Sequence, residues 1–297
     1  MTADPNDSAG EQPCDYRTLL PDDASDHDKG VVEGGLTAEE QDWLRQQRRE
    51  WELRSGGERR SAEDLVSGHS IDVVPARWVN FDRCPPFDAD ASSRLSLSRG
   101  AVTDVARQCR ERELWLPLLV TSFAWGWGSR GFGPARLRWV LNGKAGLPGL
   151  PTSEIEKRLA AAVDALDRRG AGAAYQLLFG TGRISAFGPA FFTKFLYFAG
   201  RTDKARCPAL ILDARLARQM RGFWQGRAYE PYALNGRSAR WLWQGPRWSP
   251  RRYQIYLAFM SRAAAQLSVS GERWTSELVE LLLFRRNLGD RPGDVVT

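Results

Sequence analysis

The chain has 297 residues, 42% hydrophobic and 26% charged, enough for one large domain or two modest ones with a substantial core. It contains no run of about 18 apolar residues and no secretory h-region, so the expectation is a cytoplasmic, nucleoid-associated bacterial protein with no membrane partner. The net charge of +6 hides a division: residues 1–40 carry −9, leaving +15 on a body that favours a polyanion, nucleic acid foremost.

Residues 1–36 are acidic and rich in Asp, Ser, Gly and Pro, a composition that buries too little apolar area to order itself. They read as a disordered acidic tail, suited to recruiting a protein partner. A Thr37-x-x-Glu40 capping box opens a predicted helix over 36–54 carrying Trp43, Leu44 and Trp51, expected to dock loosely. IDVVPARWVNFDRCPPF, residues 71–87, predicts an extended segment with a short strand, so that 37–97 forms a lead-in.

From residue 98 to about 290 helical signals dominate, and most of the segments end at glycine. With no repeat, heptad or strand alternation, this body is expected to be mainly α, followed by a flexible C-terminus at 291–297. Cys14, Cys84, Cys109 and Cys207 are scattered too widely for a disulfide framework or a metal spacing, and reduced thiols are the default. No metal site is predicted.

Within LLFGTGRISAFGPAFFTKFLYFAG, Gly180 and Gly182 end one helix, RISA makes a brief helical turn, and Gly188-Pro189 opens the next helix. Proline at N1 needs no amide bond, and the free amides at such a helix start can hold a DNA phosphate. A plain interhelical turn is the alternative. Lys194 falls on the helical face of Ala190, Phe191, Tyr197 and Phe198, where it either snorkels or pairs as structure, or serves as a desolvated amine nucleophile. Asp213 follows the apolar run ALIL and precedes a helix, which suits an N-cap.

A hairpin, a lysine on its second helix and an aspartate capping a helix nineteen residues on resemble the HhH-GPD DNA glycosylases, most closely their 8-oxoguanine DNA glycosylase branch. The last helix, WTSELVELLLFRRNL, is similar to that branch's final helix, in which a base-reading side chain lies four residues before a stacking phenylalanine; here these are Glu280 and Phe284. The branch carries a glutamine at the first of these positions. In the familiar motif the lysine follows the hairpin glycine almost at once, at the position of Ala190 here, whereas Lys194 stands one helical turn deeper.

The resemblance implies a helix-hairpin-helix fold and excision of a damaged or modified base, 8-oxoguanine foremost, from double-stranded DNA by base flipping. Lys194 and Asp213 would be catalytic, with β-elimination through a Schiff base on Lys194. Glu280, Phe284 and Phe198 would line the base pocket, and Gly182, Arg183, Gly188 and Pro189 would grip the backbone. With no cysteine after Cys207, no iron–sulfur cluster and no other cofactor is expected.

The aromatic and glycine-rich stretch 123–139 adds Trp127 and Arg130 as a DNA wedge or groove lining, or else forms a loop pinned by buried tryptophans. The basic stretch 236–253 could touch phosphates. A non-catalytic DNA-binding module, a helical interaction domain and a glycosylase acting on modified foreign DNA are the alternative readings of the sequence.

Overall fold

A computed structural model describes residues 14–54, 60–78, 80–81, 94–201, 209–225, 248–268 and 272–285. The fold is mainly α-helical. α1 (Tyr16–Leu19), α2 (Asp26–Gly34), α3 (Ala38–Arg54) and α4 (Ala62–Ser67) precede a two-stranded antiparallel ribbon of β1 (Ser70–Val73) and β2 (Leu95–Ser98), with Ser70 opposite Ser98. Next come α5 (Arg99–Glu111), α6 (Trp115–Trp127) and α7 (Gly133–Asn142), then the small β3 (Gly143–Lys144) and β4 (Leu147–Pro148) hairpin. α8 (Thr152–Arg169), α9 (Ala171–Phe179), α10 (Pro189–Ala199), α11 (Ala214–Gln225), α12 (Pro250–Leu267) and α13 (Ser276–Arg285) complete it.

Local chemistry sets these boundaries. Ser98 caps α5 by accepting from Ala101 N–H, and the chain breaks before α6 at Glu113, whose φ of 54° no helix tolerates. α6 is apolar nearly all round, as a helix enclosed by protein must be. α10 is the second such helix: every residue from Phe192 to Ala199 is buried. The two meet side by side, with the Phe123 and Phe191 rings stacked at 4.5 Å. Phe192, Phe195 and Phe198 are sealed in the core, and burying each contributes about 2–3 kcal/mol. The candidate lysine therefore rides on a deeply buried helix.

The acidic segment departs from expectation at residue 14. Residues 1–13 lie outside the described residues, but α1 and α2 fold and pack on α12. Val31, Val32 and Leu36 are buried, and Leu36 N–H donates to Gln266 Oε1 at 2.7 Å. Two of its acids, Asp23 and Asp28, are paired within the fold. Arg251 bonds Asp23 Oδ2 at 2.8 Å and Asp28 Oδ2 through Nε at 3.1 Å. Burial opposes ionisation of Asp28, yet the bonds from Arg251 and Ser25 hold its carboxyl below the usual range. Net charge misled here because the partner arginine lies far along the chain.

α3 also docks firmly. Its predicted capping box is formed, with Thr37 N–H on Glu40 Oε2 at 2.8 Å and Glu40 N–H on Thr37 Oγ1 at 3.3 Å. Trp43 and Leu44 enter the core, and buried Arg48 donates to the Arg273 carbonyl at 2.9 Å. Cys109 is a free buried thiol, but Cys14 is disulfide-bonded, so the expectation of four reduced thiols fails there. Cys84, Cys207, most of the basic stretch 236–253 and the tail 291–297 lie outside the described residues.

Candidate active site

The α9–α10 connection is built from its glycines. Gly180 N–H closes α9 on the Gln176 carbonyl, and Gly182 N–H turns back to the Leu177 carbonyl at 2.8 Å. A Cβ on Gly182 would meet Leu177 Cγ at 3.0 Å, so the turn needs a small residue there. Ile184 and Phe187 plug the hairpin into the core, and Phe187 N–H bonds the Ile184 carbonyl. With Ala186 at φ 61°, RISA forms a turn and not the brief helix expected. Gly188 and Pro189 then start α10, with Arg183 exposed beside them.

Lys194 points back toward that helix start, as α-helical side chains do. Its Nζ donates to the Ala190 carbonyl at 2.9 Å and pairs with Asp213 Oδ2 at 3.0 Å. The side chain is buried, and its stem passes over Gly126 of α6, where an added Cβ would lie 2.7 Å from Lys194 Cδ. An alanine at 126 would occupy the lysine's path.

Asp213 has two tasks. Its Oδ1 caps α11 by accepting from the N–H groups of Arg215 and Leu216, each at 3.0 Å, while Oδ2 faces Lys194. Burial pushes its carboxyl upward, but the charge of Lys194 and the amide bonds outweigh this and hold it below the usual carboxylate value. The carboxylate is thus ionised and aimed.

The extended strap 209–213 is what delivers it there. Tyr253 Oη takes Leu210 N–H at 3.2 Å and donates to the Leu210 carbonyl at 2.8 Å. Tyr256 Oη donates to the Ile211 carbonyl at 2.9 Å, and Leu212 N–H donates to Thr193 Oγ1 at 3.1 Å. Glu280 Oε2 receives Ile211 N–H at 2.9 Å, and its Oε1 pairs with Arg99 Nη2 at 2.9 Å. Side chains from α10, α12 and α13 thereby fix a segment that has no ladder of its own.

Phe284, one helical turn beyond Glu280, is half-buried beside the site. The Arg215 guanidinium lies 4.8 Å from its ring centroid, and His69 meets it edge-on at 6.2 Å. Against this geometry, residues 64–284 match the family model described as "Putative 8-oxoguanine DNA glycosylase OGG-like protein". The chain belongs to this OGG-like family. No curated protein and no solved structure matches it significantly.

In this OGG-like protein, Lys194, Asp213 and the hairpin Gly182–Pro189 converge, and Phe284 stands near them through Arg215, two residues from Asp213. Glu280 and Phe198 are placed otherwise. Glu280 is 1% exposed with both oxygens engaged, so the expected base-reading role has no free carboxylate; burial raises its carboxyl pKa, against the pull of Arg99. Phe198 is enclosed between Trp125, at 5.3 Å, and Tyr197, at 5.0 Å, and is fully buried.

The second aromatic cluster is partly loop pinning and partly surface. Trp127 is half-buried, stacked on Phe191 at 5.6 Å, and a Cβ on Gly133 would meet its ring at 2.8 Å. Around it Arg130, Arg138 and Phe132 are exposed, and Arg136 Nε ties the patch to the hairpin through the Ala186 carbonyl at 3.1 Å. Sequence reasoning missed Gly126, His69, Arg99, Arg215 and the strap tyrosines, because each acts through contacts with distant segments. Among the described residues no group of three His, Cys, Asp or Glu side chains is placed to hold a metal ion.

Proposed function

We propose that this protein is a DNA glycosylase that excises an oxidised purine, 8-oxoguanine foremost, from duplex DNA, with lyase activity through Lys194. The observation that carries the reading is the Lys194 Nζ to Asp213 Oδ2 contact of 3.0 Å beside the hairpin's Gly188-Pro189 helix start. Family membership supports it independently.

The arrangement suits the chemistry. The start of α10 offers amides to a backbone phosphate, and the arginines of the 130–138 patch extend that contact over the duplex. As the glycosidic bond breaks, its electron pair leaves with the base and positive charge grows on the sugar, where the ionised Asp213 carboxylate stabilises it. Lys194 surrenders a proton to the departing base and its freed lone pair then attacks C1′. The C1′–O4′ bond then opens as a proton passes from the nitrogen to O4′, giving the Schiff base, and removal of a C2′ proton expels the 3′ phosphate by β-elimination. The strap keeps Asp213 from following its charge partner as Lys194 moves.

The test uses duplexes with single defined lesions and borohydride in the reaction. The expected result is release of 8-oxoguanine and a trapped protein–DNA adduct that disappears in Lys194→Ala. Asp213→Asn should keep salt-dependent DNA binding while losing excision. If a broad lesion panel yields no released base, the glycosylase reading is wrong and a pure DNA-binding module remains.

A further inference from the structure

The contacts around the ion pair close into a ring. Lys194 meets Asp213, whose carboxylate holds Arg215 N–H; Arg215 covers Phe284; Phe284 meets His69; His69 meets Trp125 at 5.7 Å; and Trp125 adjoins Gly126, on which the Lys194 stem rests. Two polar atoms on the far arc of this ring are buried without a hydrogen-bond partner: His69 Nδ1 and Trp125 Nε1. His69 is 7% exposed and Trp125 is 4% exposed, so bulk water does not serve them. A buried polar atom left unpaired is costly, and a pair of them on the same ring of contacts as the lysine suits a partner that arrives with the substrate.

We propose that His69 and Trp125 are the specificity-determining residues that read the modified edge of a flipped 8-oxopurine. The inference rests on the glycosylase reading and goes beyond it in assigning the recognition atoms. An 8-oxopurine differs from its parent at one edge: N7 carries a hydrogen and C8 carries a carbonyl oxygen. An imidazole Nδ1 acceptor takes the N7–H, and the indole Nε1–H donates to the oxygen. Unmodified guanine turns an N7 lone pair toward the Nδ1 lone pair and has no oxygen at C8, so it gains neither bond and meets repulsion.

The surroundings keep His69 fit for this. Burial, with Arg99 and Arg285 nearby, pushes its pKa down to about 3, so the ring is neutral at working pH and one nitrogen keeps its lone pair. A protonated ring would present donors only. His69 is held at the foot of β1, where its carbonyl accepts Arg99 N–H at 2.8 Å, so the ring is carried on an anchored backbone. This also supplies a reader now that Glu280 is committed to the strap.

The experiment pairs a protein change with a substrate change. Single-turnover excision of 8-oxoguanine and of 7-methyl-8-oxoguanine, which lacks the N7–H, is measured for wild type, His69→Phe, His69→Asn and Trp125→Phe. Wild type should favour 8-oxoguanine by about 10- to 100-fold, the worth of a good base-edge contact. His69→Phe keeps a ring against Phe284 and Trp125 and should erase that preference, while His69→Asn, with an amide oxygen near the Nδ1 position, should restore part of it.

Equal losses on both substrates in His69→Phe, or an undiminished preference, would overturn the proposal and leave His69 a packing residue. If His69→Phe does not fold, His69→Asn and Trp125→Phe decide the matter: both lesions carry the C8 oxygen, so Trp125→Phe should slow both alike, and an unchanged His69→Asn preference together with unchanged Trp125→Phe rates refutes the proposal. Wild type that excises neither lesion nor any other base in the panel refutes the glycosylase reading itself, and the proposal falls with it.

Discussion

The Lys194–Asp213 and Arg99–Glu280 pairs engage the same strap at nearly equal separations, 3.0 and 2.9 Å, yet their surroundings differ. Arg99 and Glu280 are 3% and 1% exposed, and Tyr197 and Ile211 take part in their bonding. Asp213 keeps 18% of its side chain exposed, and Lys194 leans on a carbonyl and a glycine instead of a second counter-charge. A buried pair enclosed on every side holds a backbone in place. A pair with one open side can exchange partners during a reaction.

The sharpest test of this contrast removes half of the sealed pair. Glu280→Leu leaves Arg99 charged and alone and should cost about 3–5 kcal/mol in urea unfolding, while the double change Arg99→Met with Glu280→Leu should recover most of it. If the single change is silent, the two pairs are not different in kind. Asp213→Asn acts on the other side of the comparison: excision should fall about 10²- to 10³-fold, the usual worth of one aimed electrostatic group, with far less loss of stability. Single-turnover rates beside melting curves read both quantities.

Smaller effects separate the pairs more finely. Gly126→Ala crowds the Lys194 stem and should cost about 1–3 kcal/mol by overpacking, together with a reduced yield of borohydride-trapped adduct. Acid dependence is the least. Because the folded Asp213 value lies below the ordinary 3.8, its contribution is complete above that pH and is lost as pH falls through the depressed folded value. Unfolding curves between pH 5 and pH 2.5 should therefore converge for wild type and Asp213→Asn only at the acid end.

Features written locally were legible in the sequence. The hairpin glycines, Pro189, the Thr37–Glu40 box and the cap at Asp213 are short-range signals, and the lysine stood out because its neighbours are aromatic. Glu280 was misread because its helix position was visible but its partners, Arg99 and the Ile211 amide, were not. Residues 14–36 were misjudged for the same reason: Arg251 and Gln266, which complete that segment, lie more than 200 positions away. His69 gave no signal, since a lone histidine outside any motif shows its meaning only when its ring neighbours are known.

The glycine beneath Lys194 has a further consequence for how the lysine amine can be placed. It works as a fulcrum, letting a lysine rooted one turn down α10 lie back until its Nζ stands at the level of Ala190. Root and tip are thus separable, and the tip's address is what the proposed chemistry needs. Moving the lysine to 190, with alanine at 194 and a filled position 126, should deliver an amine to the same height by a shorter lever.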